Sequence, residues 1–459
     1  MELNRINTDS IVDMIFHLKW KSDAANHTDC YQASRINLWR DYLPPFLIDE
    51  MRGKQVGEKI EARLRSDDFL PAFDNQNIFQ IKRGQFDGRL NTDEAPTPGV
   101  GRFYPKGILK NVAGVFNANV QPFRCAQLNN GNITVDFNHP LAGKELVFSS
   151  VIGKVAAKDT ERGGSSVDWM AELANGPGMQ GRWQSHKTDF FSADAFSRED
   201  ETPDSRFYSE PRYVQHIDDT AIEIVKNTYD RFLKDDMDVL DLMSSWQSHL
   251  PDNLNLRRLA GLGLNESELK KNVCLSEPVV QDLNANSKLP FESHSFDAVV
   301  CTVSVEYLID PLAVFQEVSR ILRTDGYFIL TFSNRWFPTK AIKIWKELHE
   351  FERMGMVLEY FIGSGGFKNL QTYSIRGLPR PFDDKYFPDL IYSDPVYAVW
   401  GQKSGLRARA KITSHFKRRC IPPGGVAKAR NMPDIPALSR LARQAPHHFK
   451  FVNLFLREP

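Results

Sequence analysis

Apolar and polar residues alternate along the first third of the chain, then give way to short apolar runs separated by stretches of three-to-four spacing. In the first part, IVDMIFHLKW (11–20), GEKIEARL (57–64), NITVDF (132–137) and LVFSSVIGKV (146–155) predict β-strands. PPFLIDEMRGK (44–54) predicts a helix, with its prolines at the start and Gly53 at the end. Breaks rich in Gly, Pro and Asn separate these elements at 91–101 and 128–132. Residues 156–212 lack periodicity and predict a linker and docking arm rather than a domain.

From 213 onward the pattern is that of alternating helices and buried strands. AIEIVKNTYDRFL (221–233) and PLAVFQEVSRILR (311–323) are amphipathic helices; MDVLDLM (237–243), FDAVVCTVSV (296–305) and YFILTFS (327–333) are buried strands. Such alternation predicts an α/β unit built on a parallel sheet. The aromatic-rich stretch 345–400 is expected to form a lid or a dimer surface. The fold expectation is therefore multidomain: an α+β unit at 10–155, an arm at 156–212, an α/β unit at 213–400 and a tail at 401–459.

In the first unit the string V-D-F-N-H-P-L-A-G-K-E-L-V-F (135–148) resembles the closing segment of SlyD-like FKBP-type peptidyl-prolyl isomerases. Gly53, Val56, Gly57 and Glu58 fit the same family's helix and following strand, and DDFLPAFDNQNIFQI (67–81) is similar to its aromatic flap. The resemblance implies an FKBP-like domain with an inserted flap subdomain at 79–135. Rotation of an X–Pro amide faces a barrier of about 18–20 kcal/mol and needs no proton or covalent bond to move. The resemblance makes Phe148 the pocket floor, Phe69 and Phe73 its flap, and Asp29 the edge acid, acting on proline-containing or unfolded polypeptide. A Tyr of the family's flap is replaced here by Phe69. His139 is expected to be structural rather than a base.

In the second unit the run D-L-N…LPF-E-S-H-SFDAVV…EYL-I-D-P…F-Q-E-V-S-R-I-L (282–322) resembles class I S-adenosylmethionine-dependent methyltransferases, with a Rossmann-like α/β fold. Ligands of open α/β sheets bind beyond the strands' carboxyl ends. By position, Asp241 would hold the cofactor's amino-acid end, beside a loop of Met243, Ser244, Ser245 and Trp246 where relatives carry glycines. The ribose acid is replaced by Gly263, leaving Asn265 or Glu266 to take that role. Asp282 and Leu283 match the adenine contacts, and Val303 and Ser304 sit where the fourth strand meets the cofactor. Glu306, Tyr307, Asn334 and Arg335 are expected to face the acceptor, whose identity is not legible.

Charge adds a division of the chain. The 58 Lys+Arg balance 58 Asp+Glu, yet residues 401–459 carry 13 basic against 2 acidic residues, and residues 1–400 carry 45 against 56. The neutral total disfavours a nucleic-acid protein, and the basic tail reads as a solvated extension or one folding back onto the acidic body. Five cysteines without a C-x-x-C pair disfavour a disulfide framework and zinc sites, so no metal is expected. No signal-like N-terminus or apolar run of about 18 residues is present, which predicts a cytoplasmic protein. The combined expectation is an isomerase or folding helper fused to a methyltransferase. The alternative is a non-catalytic, chaperone-like binding protein in which both domains are degenerate.

Overall fold

The computed structural model describes residues 5–87, 97–157, 165–191 and 194–405. The alternating N-terminal segments pair as expected: β1 (Ser10–Lys21) lies between β2 (Asn26–Asn37) and β8 (Glu145–Ala157), and β8 also pairs with β3 (Lys59–Arg65), all antiparallel. Alternate residues of β1, Val12, Met14, Phe16 and Leu18, are fully buried beneath α1 (Pro45–Met51), which contributes Leu47 and Met51. The period-two pattern of the sequence is thus a half-buried sheet face.

Between β3 and β8 the chain builds a second, four-stranded sheet in the order β4-β7-β6-β5. Its strands are β4 (Ile78–Lys82), β5 (Phe103–Pro105), β6 (Pro122–Asn129) and β7 (Asn132–Asp136). The aromatics of this subdomain mostly pack inward: Tyr104 and Phe123 are buried with Ile133 and Val135, and Phe116 stays exposed.

The C-terminal half supplies β9 (Asp238–Leu242), β10 (Arg258–Gly263), β11 (Glu277–Val280), β12 (Phe296–Thr302), β13 (Leu322–Phe332), β14 (Phe367–Arg376) and β15 (Val396–Lys403). Strands β11-β10-β9-β12-β13 are parallel, and the order reverses between β9 and β12. Helices α4 (Asp219–Asp230), α5 (Glu266–Lys271), α6 (Pro311–Ile321) and α8 (Glu350–Ser364) accompany the sheet, with α2 (Trp169–Ala174), α3 (Asp204–Phe207) and α7 (Lys343–Glu347) as short pieces.

Three expectations change. First, 345–400 is no detached lid: it provides α8 and β14, and β15 closes the sheet antiparallel to β13. That last strand ends at Lys403, past the expected boundary at 400, and residues of the basic tail from 406 lie outside the described set. Second, the 156–212 arm is built into both cores where it is described. Trp169, Met170 and Leu173 join the N-terminal core; Met179, Phe190 and Ala195 join the C-terminal one. Bidentate Arg182–Glu359 bonds of 2.6 and 2.7 Å tie the arm to α8.

Third, the two halves share one eleven-stranded sheet, because β14 runs parallel to β2 from Gln371–Asn26 to Arg376–Tyr31. Asp29 sits on this seam, fully buried. Its carboxylate accepts from Trp20 Nε1 (2.8 Å), Ser374 Oγ (2.8 Å) and Gln180 Nε2 (3.2 Å). Burial drives its pKa up, while Trp20, Ser374, Arg376 and Gln180 draw it back. The expected edge acid of a proline pocket is therefore a structural acceptor, its oxygens spent on donors from three parts of the chain. His27 beside it bonds Thr372 Oγ1 through Nδ1 (2.8 Å) and stacks on Trp20 at 3.8 Å.

Replacing Asp29 by Ala removes the acceptor of three buried donors, each worth about 1–3 kcal/mol when left unpaired. Urea unfolding of D29A is expected to give a stability loss of about 3 kcal/mol or more; a loss under about 1 kcal/mol would contradict the structural role.

Candidate functional site

The reversal of strand order leaves a crevice at the carboxyl ends of β9, β10 and β12. It opens into a cleft of about 2750 Å³, bounded by the loops after those strands, by 97–108 of the N-terminal unit, by the arm near Trp169 and by the 376–395 loop. Drug-sized pockets span roughly 300–1,000 Å³, so this cleft has room for two ligands.

Asp241 ends β9 and lines the cleft. Ser244 Oγ and Ser248 Oγ both donate to its Oδ2 at 2.6 Å, leaving Oδ1 without a hydrogen bond among the described residues. Burial raises its pKa to about 6, against the lowering effect of the two hydroxyls. The chain then turns sharply: Met243 has φ 60, a left-handed conformation that costs a non-glycine residue about 1–2 kcal/mol. Ser244 N bonds Leu262 O at 2.8 Å and locks the loop over β10.

That lock explains Gly263. A Cβ there would lie 2.1 Å from the Ser244 carbonyl oxygen, so no side chain fits, acidic or otherwise. Asn265 lines the cleft, with its side chain engaged in local hydrogen bonds. It caps α5, accepting from Glu268 N (3.1 Å), while its Nδ2 donates to Tyr208 O and Ser209 O. Glu266 is ion-paired with Lys270 at 2.6 Å. Ser245 Oγ donates to Glu268 Oε2 (2.7 Å), and Glu268 Oε1 accepts from Arg212 N (2.6 Å).

Asp282, Leu283 and Val303 also line the cleft. Asp282 Oδ1 accepts from Asn284 N (2.9 Å) and Ala285 N (3.2 Å), which fixes the loop after β11. Val303 has φ 42, an outlier for a β-branched residue and of the kind found at functional sites. Of the residues expected near the acceptor, Tyr307, Asn334 and Arg335 line the cleft, and Tyr307 Oη accepts from Phe337 N. Glu306 does not: it is 1% exposed behind the wall, and burial pushes its pKa to about 8.

The isomerase set is not gathered at this cleft. Phe148 is fully buried, against Phe16 and Phe46 at 5.6 and 6.2 Å between ring centres. Phe69 packs partly buried on the same core, and Phe73 is 46% exposed. The register places Asp29, Leu18 and Phe148 on one sheet face, but Trp20 and Gln180 hold the carboxylate. His139 is half-buried, desolvation lowers its pKa to about 4, and its Nδ1 accepts from Leu141 N within the turn.

Several cleft residues went unnoticed in the sequence. Ser248, behind the cleft wall, is the third hydroxyl of S-S-W-Q-S after the Asp241 strand and bonds Asp241. Glu268, Arg212, Trp336, Arg353 and Arg376 carry no local signal, because they reach the cleft from separate elements. Among the described residues no three His, Cys, Asp or Glu side chains gather as a metal site, and no helix is long and apolar enough to cross a membrane.

Residues 248–330 match the family described as a methyltransferase domain. No curated protein matches the chain. Among solved structures, a chain of the Haloferax volcanii complex containing the Trm112 methyltransferase activator is similar at 18% identity, covering 41% of this chain and 92% of its own (TM-score 0.31). A SAM-dependent methyltransferase from Archaeoglobus fulgidus is similar at 14% identity over 40% of this chain and 94% of its own (TM-score 0.28). One from Aquifex aeolicus is similar at 13% identity over 43% and 96% (TM-score 0.28). The family match thus makes residues 248–330 of the C-terminal unit similar to a methyltransferase domain. The match lies wholly outside the N-terminal unit.

Gly263→Ala is expected to force the Ser244 loop outward, costing about 1–3 kcal/mol as an overpacked contact. A thermal melt should show the loss, and an unchanged melting temperature would mean the loop is not locked as described.

Proposed function

We propose that this protein transfers a methyl group from S-adenosylmethionine to an acceptor bound in the cleft between the nucleotide-binding sheet and the N-terminal unit. The observation that carries this reading is the coincidence of the 248–330 family match with two carboxylates, Asp241 and Asp282, lining one crevice at the strand ends. The residues present fit the cofactor. Asp241 offers Oδ1 to its cationic amino-acid end, and Asp282 accepts from the adenine amino group. Leu283 and Val303 give apolar surface for the ring, and the main chain at Ser244 and Ser245 borders the loop where relatives place glycines.

When bound, S-adenosylmethionine supplies a methyl group on a cationic sulfur, open to in-line displacement. The chain's part is to position the acceptor's nucleophile and to exclude water, the main sources of rate for such a transfer. Ser244 and Ser248 act on Asp241, fixing one oxygen so that the other stays directed to a ligand. The N-terminal unit, with the arm and the 376–395 loop, encloses the acceptor end.

Calorimetry on the full chain should give heat with S-adenosylmethionine and with its demethylated product. Asp241→Asn should weaken both at least tenfold. Because the carboxylate must be ionised to hold a cation and its pKa is about 6, affinity should rise as pH rises through 6 and level off above about 7, changing about tenfold per unit below the pKa. No heat at millimolar ligand would overturn the reading.

A second reading concerns the N-terminal unit: peptidyl-prolyl isomerisation or binding of proline-containing chains. What favours it is a four-stranded antiparallel sheet with α1 against one face, an inserted subdomain and an exposed Phe73 at the rim. A proline-peptide assay on the full chain is expected to show acceleration reduced by Phe73→Ala; rates equal to buffer would remove the isomerase and leave binding alone.

A further inference from the structure

Arg353, on α8, is 3% exposed and lines the cleft. Its Nε donates to Trp345 O at 2.9 Å and its guanidinium lies 4.3 Å from the Trp336 ring centre, so the group is held rigidly. Yet Nη1 has no hydrogen-bond partner among the described residues, and the charges that oppose it, Glu350, Glu306 and Glu352, act on it without a hydrogen bond. Arg376, at the end of β14, is similar. Its Nη2 donates to Leu173 O (3.0 Å), its guanidinium lies 5.0 Å from the Phe351 ring centre, and its Nε is buried and unpaired. Trp336 Nε1, also on the cleft, has no partner either.

Two other arginines of this wall are neutralised. Arg380 pairs with Asp394 at 2.6 Å and Asp384 at 2.9 Å, and Arg335 reaches Asp394 at 3.7 Å. The nearby acids have their own hydrogen-bond donors: Glu350 accepts from the Tyr397 hydroxyl, and Glu352 accepts from Phe103 N and His349 N. An unpaired buried cation is costly, of order several kcal/mol, and a guanidinium with free N–H groups matches the geometry of a carboxylate or phosphate. Two such groups, together with a free indole N–H, form a donor set awaiting an acceptor-rich anion.

We propose that this end of the cleft binds an anionic group of the methyl acceptor, a carboxylate or a phosphate monoester, between Arg353 and Arg376. The proposal rests on the methyltransferase reading for the word acceptor, but the anion site itself does not. Arg376 is anchored to carbonyls of the arm, so the site is assembled from both halves of the chain. The N-terminal unit then has a role in substrate selection whether or not it isomerises proline bonds.

The test uses the full chain, with and without the demethylated cofactor product, titrated by ligand-observed NMR with benzoate, phenyl phosphate and the neutral isostere benzamide. Binding of at least one anion is expected at millimolar concentration, with benzamide at least tenfold weaker; the tighter anion tells carboxylate from phosphate. Arg376→Gln, at a half-buried position, should weaken the anion at least tenfold without changing affinity for the cofactor product. Arg353→Lys, which keeps charge but loses the planar fork, should weaken it several-fold. Benzamide binding as well as the anions, or an unchanged anion affinity in Arg376→Gln, would overturn the proposal. Loss of cofactor binding in the parent protein with anion selectivity intact would overturn the methyltransferase reading and support the anion site.

Discussion

The parallel pairing of β2 with β14 is the constraint from which the rest of the molecule follows. Sheet edges expose unpaired backbone groups, and here each half of the chain covers an edge of the other. The seam is made specific by polar pairs in register, His27 with Thr372 and Asp29 with Ser374. Slippage by one residue would send both buried polar groups to the opposite face, so the register is set by their need for partners. With the seam formed, the arm between the halves lies over it, Gln180 completes the Asp29 shell, and Arg376 is delivered to the cleft.

The crevice at the strand ends depends on a second close contact. Met243 accepts a left-handed conformation, and the Ser244 carbonyl presses on Gly263 where a Cβ could not fit. In this loop two serines hydrogen-bond the strand-end aspartate, and a glycine on the neighbouring strand leaves room for the loop's backbone. Conformational strain at Met243 and Val303 is carried by a fully packed sheet beneath them, where Val239, Leu240, Val299 and Val300 are all buried. Such strain persists only where the surroundings over-determine it.

Much of the local architecture was legible because it depends on neighbours in sequence. The strands β1, β3, β7 and β8, the helix α1 and the β9–β12–β13 series follow from periodicities that report burial of one face or two. That Asp241, Asp282, Leu283 and Val303 line one cleft was also legible, since strand ends and the loops after them are set by the same pattern. The burial of Asp29 in a seam was not, because its partners Gln180 and Ser374 lie 151 and 345 residues away. The capping bonds of Asn265 follow from its place before a helix, where Asn is a favoured cap.

By itself the sequence determined the two kinds of layer, their order, and the carboxylates of one crevice, all of which are local consequences of period and of strand ends. Only the tertiary structure decided that the halves form one sheet, that the supposed linker is core where it is described, and that Arg353 and Arg376 reach a common cleft with unpaired N–H groups. Those outcomes depend on which distant groups become partners after burial. A buried charge is recognised as unpaired only when every neighbour in space has been accounted for.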